Sequence, residues 1–72
     1  MEEFVIKSYL VSELALLYYP ELTAQGAYRL FYKELRATRG LIDALEATGY
    51  HRYAKRFTRK QVRTIVRFLG EP

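Results

Sequence analysis

Residues 10–37, LVSELALLYYPELTAQGAYRLFYKELRA, decide the fold class. Leu10, Leu14, Leu17 and Tyr18 recur at i, i+4, i+7 and i+8, which predicts one face of a helix over about 11–19 that Pro20 must end, because proline lacks an amide donor and clashes with the preceding turn. Pro20-Glu21-Leu22 makes a short connection. Thr23 then stands where an N-cap belongs, its hydroxyl able to accept from a free first-turn amide. A second helix follows to about Ala37. Its apolar stripe is Ala27, Leu30, Phe31 and Leu35, flanked by Tyr28 and Tyr32, while Arg29, Lys33 and Arg36 repeat at i, i+4 and i+7 on the other side. Gly26 weakens its first turn by roughly 1 kcal/mol relative to alanine, an arrangement compatible with close approach to the first helix. Two helices joined by a short connection, the second basic on its outer face, are the parts of a helix-turn-helix. A plain helical hairpin with a solvated face has the same periodicity.

Upstream, Phe4-Val5-Ile6-Lys7-Ser8-Tyr9 is β-branched and aromatic and reads as one short strand in need of a pairing partner. Downstream, Gly40 offers a stop, and residues 41–48 form a short third helical segment that Gly49 can end in the left-handed conformation. Tyr50 to Phe57 places aromatics among His51, Arg52, Lys55 and Arg56 and reads as an extended basic hairpin, although no Asn-Gly or Asp-Gly marks its turn. Thr58-Arg59-Lys60-Gln61 fits a capping box. Val62, Ile65, Val66 and Leu69 then make the buried stripe of a last helix that Gly70 ends, with Arg59, Arg63 and Arg67 outside. The expectation is a single domain over residues 1–72, mainly α with a small β-hairpin, winged helix-turn-helix-like, in the order β-α-α-α-hairpin-α.

Composition sets bounds on what such a chain does. With 72 residues, 50% apolar and 28% charged, it has ordinary globular composition but little room for a deep catalytic cleft. It has no cysteine, hence no disulfide and no thiolate ligand for zinc. The amino terminus shows no secretion signal, and no apolar run approaches the roughly 18 to 20 residues of a membrane span, so the expectation is a cytoplasmic protein without membrane partners. Charge is unevenly placed. Residues 1–49 carry −2 and residues 50–72 carry +6 of the net +4. A basic final third points to a polyanionic partner, nucleic acid being the first to consider.

On that reading the first helix braces the second, whose first turns enter a DNA major groove. Gln25 is placed to read adenine, and Arg29 to read guanine or bind phosphate. Thr23, Tyr28 and Lys33 would hold phosphates and set the register. Arg52, Lys55 and Arg56 would lie along the flanking backbone or enter the minor groove, unless they only keep a surface hairpin soluble. Arg59, Lys60, Arg63 and Arg67 read as a solvated helix face. The sequence offers no catalytic set, metal site or cofactor motif: its lone histidine, His51, has no neighbouring Cys, His or acid at ligand spacing. A second reading is a protein-interaction adaptor that uses a surface formed by Tyr18, Tyr19, Tyr28 and Tyr32, with no nucleic acid.

Ser12-Glu13-Leu14-Ala15-Leu16-Leu17 is similar to the first helix of MerR-like and excisionase-like winged domains. Gly49-Tyr50-His51-Arg52-Tyr53 and Phe57-Thr58 to Val62 resemble the wing and following helix of that group. Two departures stand out: Leu10 occupies a position where a polar cap is usual, and the 41–48 segment lies between the second helix and the wing. The chain as a whole, from Glu3-Phe4-Val5-Ile6-Lys7-Ser8-Tyr9 to Leu69-Gly70-Glu71-Pro72, also resembles a family of short bacterial proteins classed only as a domain of unknown function. The winged resemblance implies a small transcriptional regulator or an accessory factor of a mobile element. Such a protein commonly acts as a homodimer on two half-sites.

Overall fold

A computed structural model describes residues 4–51 and 54–72. The elements are β1 (Tyr9–Leu10), α1 (Val11–Tyr18), α2 (Ala24–Ala37), α3 (Leu41–Glu46), β2 (Arg56–Phe57) and α4 (Arg59–Leu69). The domain is mainly helical, in the order β-α-α-α-β-α, with one two-stranded antiparallel sheet.

The helix ends follow the local chemistry of the chain. Leu10 caps α1 from an extended conformation but has no side-chain acceptor; the Glu13 carboxylate compensates by accepting from the Leu10 amide at 2.9 Å. Thr23 caps α2, its hydroxyl accepting from the Gly26 amide at 3.1 Å. Thr58 and Gln61 make a full capping box on α4: the Thr58 hydroxyl accepts from the Gln61 amide at 3.2 Å, and the Gln61 side chain accepts from the Thr58 amide at 2.9 Å. Gly40 turns the corner between α2 and α3 at φ +83°, a left-handed conformation that costs a side-chain-bearing residue about 1 to 2 kcal/mol.

The expected hairpin takes another form. Among the described residues, Arg56–Phe57 pairs with β1, in the register Tyr9↔Phe57 and Leu10↔Arg56, and not with the residues before it; Arg52 and Tyr53 of the expected hairpin lie outside the described residues. Two further bonds extend the junction: the Val11 amide donates to the Lys55 carbonyl at 2.9 Å, and the Ser8 hydroxyl donates to the Phe57 carbonyl at 2.8 Å. The cause is burial. Both Tyr50 and Phe57 enter the core and stack on one another with ring centroids 5.7 Å apart, which draws both ends of the segment inward. The strand expected over 4–9 is correspondingly shorter. Phe4 stacks on Tyr9 at 5.6 Å and the Tyr9 hydroxyl donates to the Val5 carbonyl at 2.7 Å, so the first described residues close on themselves instead of running on as a strand.

Phe31 of α2 sits at the centre of the core, stacked on Tyr18 at 5.3 Å and edge-on to Phe57 at 6.2 Å. Leu14, Leu35, Leu41, Leu45, Val62 and Ile65 close around it, all fully buried. The helical phase differs slightly from expectation: α1 buries Val11, Leu14 and Ala15, whereas Leu10 and Leu17 are 41% and 43% exposed. In α2 the buried line is Ala27, Phe31 and Leu35, and Leu30 lies at its edge, 39% exposed.

Candidate nucleic-acid interface

The line Ala27-Phe31-Leu35 fixes the rotation of α2 on the core, and the helical period then sends Gln25, Arg29, Lys33 and Arg36 to the opposite side. All four are exposed. At 1.5 Å per residue they form a strip about 17 Å long along one helix face. The only acid in α2, Glu34, lies off this strip, on the flank next to Tyr19. The strip is therefore cationic along its length, with one amide side chain at its start.

The other expected contacts distribute as follows. Thr23 is exposed, and its hydroxyl oxygen accepts from the Gly26 amide in capping α2, a role that does not use its O–H donor. Tyr28 is 41% exposed and leans against Tyr32 with ring centroids 4.9 Å apart, on the flank of the strip. Lys55, just before β2, and Arg56 on β2 are exposed. Their backbone is tied to the start of α1, whereas Thr23 and Gln25 follow its end, so the eight residues of α1 separate the two groups by about 12 Å along its axis. Arg52 lies outside the described residues. Arg36 belongs with Arg29 and Lys33: its spacing already placed it on their side, and the folded helix leaves it beside an open groove facing Glu46.

Several tyrosines have internal duties. The Tyr18 hydroxyl donates to the Gly70 carbonyl at 2.6 Å, and the Tyr50 and Tyr32 hydroxyls are hydrogen-bonded at 3.0 Å. Burial, reinforced by Glu71 and Tyr19, pushes the Tyr18 phenol up to about 12. Burial first, and then the hydroxyl pair with Tyr50, raises the Tyr32 phenol well above its ordinary range. Tyr19 is raised as well, by partial burial and then by Glu34. These phenols stay neutral at physiological pH; Tyr18 donates to the Gly70 carbonyl and Tyr32 accepts from the Tyr50 hydroxyl, and none has the depressed value of an activated nucleophile.

Among the described residues, two open clefts can be traced beside α2. One of about 540 Å³ lies between α2 and α3, lined by Tyr32, Arg36, Ile42, Glu46 and Tyr50. The other, about 360 Å³, lies at the α1–α2 connection, lined by Tyr18, Tyr19, Pro20, Glu21, Leu22 and Leu30. Neither contains a nucleophile paired with a general base. Among the described residues no group of three His, Asp or Glu side chains is arranged to hold a metal ion, and no helix is long and apolar enough to cross a membrane.

In comparison with known proteins, residues 5–72 match the sequence profile of a family described as Domain of unknown function (DUF4248). No curated protein matches the chain, and no solved structure does.

Proposed function

The chain belongs to the DUF4248 family, a description that carries no activity, and we propose from its surface that it is a non-enzymatic DNA-binding protein in which α1 braces α2 against the major groove. The observation that carries this reading is the exposed strip Gln25-Arg29-Lys33-Arg36 on the face of α2 opposite its buried line. A helix with that face can enter a groove wide enough to admit it, with Gln25 and Arg29 toward base edges and Lys33 toward phosphate. Thr23 and Tyr28 border the same face at the start of the helix. Lys55 and Arg56, joined by Arg52 from the same segment, act on the flanking backbone in the manner of a wing. A small transcriptional regulator or a mobile-element accessory factor, working as a homodimer where the site has two halves, fits these properties.

The adaptor reading has less in its favour, because Tyr18, Tyr32 and Tyr50 spend their hydroxyls on internal bonds, which leaves Tyr19 and Tyr28 as the more available rings. Fluorescence anisotropy with mixed-sequence duplex DNA tests the proposal at low and then physiological salt. Salt-sensitive binding, weakened when Arg29, Lys33, Arg52 and Arg56 are together reversed to glutamate, is the expected result. Unchanged affinity after those reversals, or no binding at low salt, overturns it.

A further inference from the structure

The outer face of α4 is left unused by this mode of binding. Val62 and Ile65 are fully buried and Gln61 nearly so, while Arg59, Lys60, Arg63 and Arg67 are all exposed. No acid occurs in the sequence between Glu46 and Glu71 to offset them. The helix carries most of these charges against its own electrostatics, Arg67 in its last turn being favourably placed. Arg59 and Lys60 occupy the first turn, where the free amides already present positive charge, and Arg59, Arg63 and Arg67 stack at i, i+4 and i+8 as like charges. The capping box and the buried stripe hold the helix together in spite of this. Local conflicts of this kind concentrate where a surface has a task, and an anionic partner would relieve both penalties.

The face suits phosphate. Three of its four cations are arginines, whose planar forks match phosphate oxygens. Its polar neutral side chains are already engaged: Gln61 is buried and accepts from the Thr58 amide, and the Thr64 hydroxyl donates back to the Lys60 carbonyl at 3.0 Å. Nothing exposed on α4 between Arg59 and Arg67 resembles the Gln25 that opens the α2 strip.

The two basic helices cover the same core from different sides. α2 packs on α1 and α3, α4 packs on α3 and β2, and Phe31 and Leu35 meet the same hydrophobic cluster as Val62 and Ile65. Each helix turns its buried line toward that shared cluster and its basic face away from it, so a duplex seated on α2 is expected to leave the α4 face free. Resting on the DNA reading above, we propose that α4 is a second, sequence-independent DNA-backbone surface through which one copy of the chain holds two duplex segments at once.

The test uses the full chain. A mixed-sequence duplex fixed on beads is loaded with protein and asked to retain a second, fluorescent duplex, and native mass spectrometry counts short duplexes bound per chain. The wild type should retain the second duplex and reach two duplexes per chain at low salt. The Lys60→Glu, Arg63→Glu, Arg67→Glu variant should retain about tenfold less and stop at one per chain, as loss of several phosphate contacts dictates. A Lys60→Gln, Arg63→Gln, Arg67→Gln variant should lie between them, and circular dichroism confirms that each variant is folded. One duplex per chain for the wild type, with no retention of the second, overturns this inference and leaves the first binding mode standing. Retention that survives the triple reversal also overturns it, because bridging would then come from pairs of α2 faces in a dimer. Absence of any DNA binding overturns both.

Discussion

Tyr18 joins two chain segments that are 52 residues apart, its hydroxyl donating to the Gly70 carbonyl where α4 ends. Its phenol is pushed up to about 12 by burial, then by Glu71 and Tyr19, from the ordinary 10.0. The folded state thus holds this proton more tightly than the unfolded chain, so its contribution to stability is fully present below pH 10 and is lost as pH rises from 10 through about 12. Tyr32, raised for similar reasons, adds to the loss in the same direction. Denaturant unfolding of the wild type should show stability falling as pH is raised above 10. Tyr18→Phe should cost about 1 kcal/mol at neutral pH, the net worth of one hydrogen bond, and should fall less steeply in the alkaline range. An equal alkaline slope in both proteins would remove Tyr18 as the cause. Gly40 is a residue whose identity the backbone favours, at φ +83°. A Cβ built there meets only Phe68 Cε2, at 3.7 Å, an ordinary contact. Gly40→Ala should therefore lose about 1 to 2 kcal/mol from the left-handed backbone alone, a cost that truncating Phe68 would not relieve.

At the scale of elements, α2 and α4 both begin with threonine caps, but the caps differ in completeness. Thr58 is answered by Gln61, whereas the residue three positions after Thr23 is Gly26, which has no side chain to return the bond. Thr58→Ala and Thr23→Ala should each cost about 1 kcal/mol in denaturant melts, within the range for lost N-caps, and adding Gln61→Ala to Thr58→Ala should cost more again by releasing the Thr58 amide. If Thr58→Ala proves neutral, the start of α4 is held by packing and not by its cap. These caps, together with the 3.6-residue periodicity, made the helices readable from sequence, because each signal lies within a few residues of the element it starts or ends. The sheet was not readable in that way. Its strands are two residues long, and Tyr9 meets Phe57 across 48 positions, so the pairing is chosen by the burial of Tyr50 and Phe57 and not by any turn motif. The same limit applied to the candidate interface. Spacing alone put Arg29, Lys33 and Arg36 on one face, and the buried line of α2 agrees; the attachment of Lys55 and Arg56 to the start of α1 depended on long-range hydrogen bonds that no local pattern encodes.

At the scale of the whole molecule, the charge asymmetry seen along the sequence becomes a spatial one. The acids Glu13, Glu21 and Glu34 lie on α1, the α1–α2 connection and the Tyr19-facing flank of α2, away from the cationic strip, whereas Glu46 lines the same cleft as Arg36 at its end. Most of the described cations lie on the outer faces of α2 and α4 and at Lys55 and Arg56. A body measuring 31 × 24 × 21 Å brings every one of these charges within a few screening lengths of a bound polyanion, so association should respond to ionic strength as a whole-surface property. The slope of log affinity against log salt then counts the cations that neutralise phosphates, at about 0.9 per contact on duplex DNA. Neutralising Arg29 and Lys33 with glutamine should lower that slope by about 2 if both touch phosphate, and by about 1 if Arg29 reads a base edge while Lys33 alone meets the backbone. The two cases separate again on a selected site: a base-reading Arg29→Gln variant should lose about 1 to 3 kcal/mol of discrimination at one position, whereas a phosphate contact should weaken all sequences alike. A slope unchanged by both substitutions would mean that α2 does not carry the interface, and the basic face of α4 would then be the surface on which DNA binding has to be sought.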